Sequence, residues 1–209
     1  MAPKYTLHYF NLRARGEISR WIFKYAGQEF EDKRYEFSEW PAQKPNAPDG
    51  TLPWLEVDGK KLSQSMAIAR YLARTFKLAG QNAWEEAEVD ALVDFGIDAA
   101  KDYGTWISAF LAKDTKKADE IKTKYFGEGL PKYLDGFQRK LAANKDGQGF
   151  FVGDKPTWGD FAIVILFDEL KRLNADFLNA YPLLKAHSDR VHELKGIKEW
   201  IAARPETSV

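Results

Sequence analysis

The hydrophobic positions change their period once, near residue 75. Before that point they alternate or fall in short blocks, and after it they recur at helical spacing. Tyr5 to Phe10 reads as a strand. Ile18, Trp21, Ile22 and Tyr25 share one face of a helix over Glu17 to Tyr25, which Gly27 ends. Phe30 to Glu36 reads as a second strand, and Phe37 to Gly50, with Pro41, Pro45 and Pro48, as a long irregular loop. Leu55-Glu56-Val57 alternates as a half-buried strand does. Asp58-Gly59 is a two-residue hairpin turn, because both turn positions need φ > 0, and Lys60 to Leu62 is the return strand. Ser65 stands before the helix-forming run Met66 to Leu72, where its hydroxyl can cap free N–H groups. The order is β-α-β-loop-β-β-α. The first two strands flank a helix and are expected to be parallel, with a right-handed crossover.

From Trp84 onward only helical periodicity is present, after a linker over Thr75 to Ala83. Helices are expected over 84–112, 116–126, 131–143, 157–173, 182–193 and 197–203. Thr157-Trp158-Gly159-Asp160 forms a capping box with the acid at its third helical position. The apolar run Phe161 to Phe167 follows, so this helix is expected to be the buried axis of the second domain. The pattern predicts an α/β domain over 1–75 and an all-α domain over 84–209.

Two features beside the hairpin carry chemistry. Pro53 opens a strand that reads as central, where proline cannot donate to the ladder. A cis Leu52-Pro53 bond would bend the chain there and leave the N–H and C=O of Leu52 to pair with an extended ligand. Gln64-Ser65 lies at a helix N-terminus, where unsatisfied N–H groups, the dipole and a hydroxyl suit a carboxylate. A backbone edge beside an anion pocket implies a short peptide ligand with a terminal carboxylate.

Composition narrows the alternatives. The 209 residues hold 31 Lys+Arg against 31 Asp+Glu, a balance that argues against nucleic acid as the main partner. Without cysteine there is no disulfide framework, thiolate metal site or cysteine nucleophile. Met-Ala-Pro-Lys-Tyr lacks the apolar core of a signal peptide, and the longest apolar run, Phe161 to Phe167, is too short to span a bilayer. The expectation is a soluble cytosolic protein. His8, His187 and His192 lack metal-ligand spacing and receive no catalytic role; His8 is expected to point away from Tyr9.

Lys4 to Phe10, Trp40-Pro41, Leu52-Pro53, Leu55 to Gly59, Gln64-Ser65, Ala67 to Leu72, Thr157 to Phe161 and Trp200 to Pro205 together resemble a cytosolic glutathione S-transferase. The sigma class, which includes the haematopoietic prostaglandin D synthases, is the most similar. The resemblance covers nearly the whole chain. It implies a thioredoxin-like domain (β-α-β-α-β-β-α), a helical domain, a homodimer, and glutathione as co-substrate. It implies that the Tyr9 hydroxyl hydrogen-bonds the glutathione sulfur and that Arg15 adds positive potential there. A free thiol with a pKa near ~8.5 is mostly protonated at neutral pH, and a donor aimed at the sulfur favours the nucleophilic thiolate. Here the sequence reads Arg13-Ala14-Arg15-Gly16-Glu17, where relatives often read Arg-Gly-Arg-Ala-Glu.

Trp40 and Lys44 match residues that hold the glycine carboxylate of glutathione, for which indole N–H and ammonium are suited donors. Thr51 stands where relatives often have a lysine reaching the same carboxylate. Leu52, Pro53, Gln64 and Ser65 complete the implied glutathione site. Asp98 matches an aspartate that reaches the neighbouring subunit's glutathione. Asp90, Asp94, Asp98 and Asp102 read as an acidic row on one helix, facing Arg70 and Arg74 across the implied two-fold axis. Some relatives bind magnesium at this cluster; Ile97 replaces one of their acids, so no required metal is expected. Phe10, Leu12, Ala14, Tyr103, Thr105 and Trp106 are the candidate walls of a site for hydrophobic electrophiles, expected between the domains. The implied activity is conjugation of glutathione to such electrophiles. Isomerisation of prostaglandin H to D uses the same thiolate. A lens S-crystallin-like role is less well matched, since those proteins tend to be rich in Met and this chain has 2.

Overall fold

The computed structural model describes residues 3–207. Its contacts divide into two compact units, residues 3–79 with 192–207, and residues 80–191. The sequence pattern places 84–209 together, whereas the structure groups the last helix with the first unit. The reason is a buried carboxylate: Glu17 accepts from Trp200 Nε1 at 2.9 Å and from Arg204 at 2.8 Å.

The first unit contains β1 (Tyr5–Phe10), α1 (Ala14–Ala26), β2 (Glu31–Tyr35), α2 (Trp40–Gln43), β3 (Trp54–Val57), β4 (Lys60–Ser63) and α3 (Ser65–Thr75). The strands form one sheet in the order β2-β1-β3-β4, with β1 and β2 parallel and the other pairs antiparallel. The alternation along β1 divides its residues between two faces. Tyr5 packs edge-on against Phe23 of α1, and Leu7 is fully buried opposite Leu55. On the other face His8 stacks on Trp54 at 4.2 Å, and its Nδ1 lies 2.7 Å from the Tyr35 hydroxyl. His8 does turn away from Tyr9. Gly27 ends α1 in the left-handed conformation, and Asp58 and Gly59 both take positive φ in the hairpin.

Two local expectations are corrected here. The stretch 37–50 is not wholly irregular: α2 is followed by a 3₁₀ turn at Lys44–Asn46. Pro41 and Pro45 sit in the first turns of these pieces, where a fixed φ and a missing N–H are assets. Ser65 is not the cap of α3 but its first residue. The capping position belongs to Gln64, at φ 71°, ψ 109°, with no side-chain cap bond.

The second unit is helical, with α4 (Ala83–Ala99), α5 (Lys101–Leu111), α6 (Thr115–Lys124), α7 (Leu130–Ala143), α8 (Trp158–Lys171) and α9 (Pro182–His192). A π-helical turn, Tyr125–Gly129, joins α6 to α7. The single helix expected over 84–112 is two, separated at Ala100. The Tyr125 hydroxyl donates to the Ala99 carbonyl at 2.8 Å, so a side chain inserts where the helical ladder would continue. α8 is the buried axis. Its capping box is formed, and Asp160, fully buried, accepts from the Thr157 N–H, the Thr157 hydroxyl, the Phe151 N–H and the His187 ring. The helix α10 (Ile197–Ala203) returns to α1. No helix among the described residues is long and apolar enough to cross a membrane.

Candidate active site

Tyr9 lies near the C-terminal end of β1 and is buried, with its hydroxyl accepting from the Arg15 N–H at 3.3 Å. Burial pushes the hydroxyl pKa up. The Arg15 N–H and the charges of Arg15 and Arg20 pull the other way without overcoming burial. The group therefore stays protonated at neutral pH. An oxygen that accepts from the backbone retains its own proton to donate elsewhere. Arg15 meets Tyr9 through its backbone, while its side chain is exposed.

The loop behind this contact is held from below by α1. Arg20, fully buried, donates to the Leu12 carbonyl at 2.7 Å, to both Asp32 oxygens at 3.0 and 3.1 Å, and to Glu17 at 3.2 Å. Glu17 also accepts from Trp21 Nε1 at 3.1 Å. Burial alone would raise the Glu17 pKa, but Arg20, Trp200 and Arg204 outweigh it and hold the carboxylate below its usual range. Sequence reasoning missed Glu17 and Arg20. The signal available was a Glu-Arg pair three residues apart on a helix whose neighbouring positions are apolar.

A second group of expected site residues comes together on the face of the sheet that carries His8. Trp40 begins α2 and packs on Phe10 (5.8 Å, edge-on) and Trp54 (6.5 Å). Lys44, exposed, follows one turn later, its N–H bonded to the Trp40 carbonyl. Ser63 donates to Asp49, and Lys61 reaches the Asn46 carbonyl at 2.8 Å, so β4 anchors the segment leading into Thr51, Leu52 and Pro53. Leu52 packs against the Tyr35–Trp54 cluster, and the Leu52-Pro53 bond is cis. Gln64, at positive φ, opens α3 and puts Ser65 at the helix N-terminus, where the first N–H groups lack helical partners. A non-glycine residue held there is backbone strain of the kind that clusters at ligand sites.

The remaining expected residues divide between the units. Phe10, Leu12 and Ala14 are in the first and half-buried, and Phe10 also meets Phe37 at 4.6 Å. Tyr103, Thr105 and Trp106 lie on α5 in the second. Tyr103 is buried, stacks on Trp106 at 5.9 Å and donates its hydroxyl to Glu169 at 3.0 Å. Thr105 is exposed, its hydroxyl bonded back to the Lys101 carbonyl at 3.2 Å. The acidic row is not on one helix: Asp90, Asp94 and Asp98 lie on α4 and Asp102 on α5, because of the break at Ala100. Asp98 pairs with Lys101 at 2.7 Å. Among the described residues no group of three or more His, Cys, Asp or Glu side chains could hold a metal ion.

A thioredoxin-like sheet with an open helix N-terminus at α3, followed by a helical second unit, is the architecture of a glutathione-using class of enzyme. The chain belongs to the glutathione S-transferase family, whose members take glutathione as co-substrate. The family's N-terminal domain matches residues 5–74 and its C-terminal domain residues 101–204. The chain is 44% identical over 205 residues to probable glutathione S-transferase 5 of Caenorhabditis elegans, covering 97% of this chain and 98% of that one. It is 41% identical over 207 residues to the hematopoietic prostaglandin D synthase of Gallus gallus, covering 99% and 100%. Among solved structures, a glutathione S-transferase from the hookworm Necator americanus, described as monomeric, superposes with a TM-score of 0.92 at 35% identity, covering 99% and 100%.

Proposed function

We propose that this chain is a sigma-class glutathione transferase that conjugates the glutathione thiolate to hydrophobic electrophiles. The observation that carries the reading is the Tyr9 hydroxyl, protonated, fixed by the Arg15 N–H and standing at the end of β1. In this reading Tyr9 donates to the glutathione sulfur, with Arg15 adding positive potential. Leu52 and Pro53 present the backbone edge, and Thr51 lies beside it. Gln64 and Ser65 hold the γ-glutamyl carboxylate, and Trp40 and Lys44 the glycine carboxylate. Asp98 acts toward the neighbouring subunit's glutathione in a cytosolic homodimer. Phe10, Leu12, Ala14, Tyr103, Thr105 and Trp106 receive the second substrate.

The test is turnover of an aryl halide with glutathione in wild type and Tyr9→Phe. The variant keeps the ring and removes one donor to an anion. Turnover is expected to fall by about 10²–10³, and the pH–rate profile to move to higher pH as the bound thiol recovers its ordinary acidity. Equal profiles would make Tyr9 a packing residue. The identity to the Gallus gallus prostaglandin D synthase supports a second reading, in which the same thiolate isomerises prostaglandin H to D. Incubation with prostaglandin H and product analysis separates the two.

A further inference from the structure

The rings beneath α2 form a platform, and His8 is the group that ties it together. Tyr35, Ala47 and Trp54 make a buried cluster on which Phe10, Trp40 and Leu52 pack. Among the described residues Trp54 Nε1 has no hydrogen-bond partner, so packing alone sets this indole. The His8 ring covers it at 4.2 Å and within 14° of parallel, and His8 Nδ1 lies 2.7 Å from the Tyr35 hydroxyl. His8 Nε2 has no partner among the described residues, which leaves the Tyr35 bond as the one directional restraint on the ring. Lys33 and Glu31 on β2, Glu56 on β3 and Lys61 on β4 face His8. Burial and Lys33 lower its pKa to about 4, while burial raises that of Tyr35. Both partners are therefore neutral at neutral pH, and either imidazole tautomer makes the bond.

The segment carried by this platform is fastened at its two ends. Glu39 accepts from the Glu36 N–H at 2.7 Å before α2, and Lys61 reaches the Asn46 carbonyl at 2.8 Å after it. Between these points Trp40 meets the sheet through rings, Trp54 at 6.5 Å and Phe10 at 5.8 Å. Lys44 follows through its N–H bond to the Trp40 carbonyl. We propose that His8 is a positioning residue for the glycine end of glutathione: by holding Tyr35 and Trp54 it sets Trp40, and with it Lys44, against the glycine carboxylate. The proposal rests on the reading that Trp40 and Lys44 hold that carboxylate. Gln64 and Ser65, assigned to the γ-glutamyl end, are outside the cluster, and Tyr9 lies on the opposite face of β1. The effect of His8 is thus confined to one end of the ligand.

His8→Phe and Tyr35→Phe each delete the bond and keep a ring. The probes are glutathione and γ-glutamylcysteine, which lacks the glycine and its carboxylate, titrated calorimetrically at pH 7. In either variant the Kd for glutathione is expected to rise about three- to tenfold, the worth of one neutral hydrogen bond. The Kd for γ-glutamylcysteine and the turnover at saturating glutathione hold. The double variant loses no more than either single one, because both remove the same bond. Trp40→Ala tests the underlying reading, and is expected to weaken glutathione and spare γ-glutamylcysteine. If it leaves the ratio of the two affinities in place, the reading of the glycine end fails and this proposal with it. If Trp40→Ala changes the ratio and the His8 and Tyr35 variants do not, the glycine end stands and the role of His8 is overturned. Equal weakening toward both ligands would likewise make His8 a packing residue. Should His8→Phe not fold, Tyr35→Phe, which loses only a hydroxyl, decides the matter alone.

Discussion

At the scale of single residues, local pattern made legible that Tyr9 lies on a strand and Ser65 at a helix N-terminus, while the role proposed for Tyr9 came from the family resemblance. The buried pair Glu17 and Arg20 was not legible. Its partners are Asp32, Trp200 and Arg204, which no helical periodicity records. Ser65 carries a prediction of its own. A carboxylate held at the head of α3 loses one donor in Ser65→Ala, a loss of roughly 1.5–3 kcal/mol for a bond to a charged group. The Michaelis constant for glutathione is expected to rise about tenfold or more, at 1.4 kcal/mol per decade, with turnover at saturation little changed. Steady-state kinetics with varied glutathione checks this, and an unchanged constant removes Ser65 from the site.

At the scale of elements, the hairpin, β1 and the capping box of α8 were readable because turn and cap chemistry is local. The break at Ala100 was not. No proline marks it, Gly96 and Gly104 stand a full turn to either side, and the interruption comes from Tyr125, 26 residues beyond Ala99. α2 was hidden for the opposite reason. Its prolines read as breakers, yet they start short helical pieces. The sheet makes a pH prediction. Burial, with Lys33 beside it, lowers the His8 pKa to about 4, and Glu56 and Glu31 only partly offset this. The unfolded chain, with an ordinary histidine near ~6.5, binds the proton first. His8 thus contributes stability that is fully present above about pH 6.5 and is lost as pH falls toward 4. The amount is on the order of 2 kcal/mol after allowing for partial screening. Urea midpoints at pH 7 and pH 4.5 are expected to differ less in His8→Phe, which retains a ring on Trp54 but does not titrate.

At the scale of the whole molecule, the acidic α4 residues Asp90, Asp94 and Asp98 and the basic α3 residues Arg70 and Arg74 motivate the proposed homodimer. Arg70→Glu is expected to weaken it, shifting the mass seen by light scattering at micromolar concentration toward the monomer and lowering glutathione affinity with it. A wild-type protein that is monomeric and fully active would refute the dimer and leave the Tyr9 chemistry untouched.

The return of α10 to α1 has a consequence for how the protein comes into being. Trp200 and Arg204 reach Glu17 across separations of 183 and 187 residues. The backbone is equally intimate, since a Cβ on Gly196 would lie 2.2 Å from the Lys24 carbonyl oxygen. A ribosome that has translated β1 to α3 has delivered the whole sheet but not the donors for its most buried carboxylate. Until the chain extends past Arg204, Glu17 lacks two of its partners, and the first unit stays incomplete while the entire second unit is synthesised. Stalled nascent chains ending before residue 197 are expected to remain protease-sensitive within α1, and those carrying Arg204 clear of the exit tunnel to become resistant. The first domain to emerge would then be the last to close.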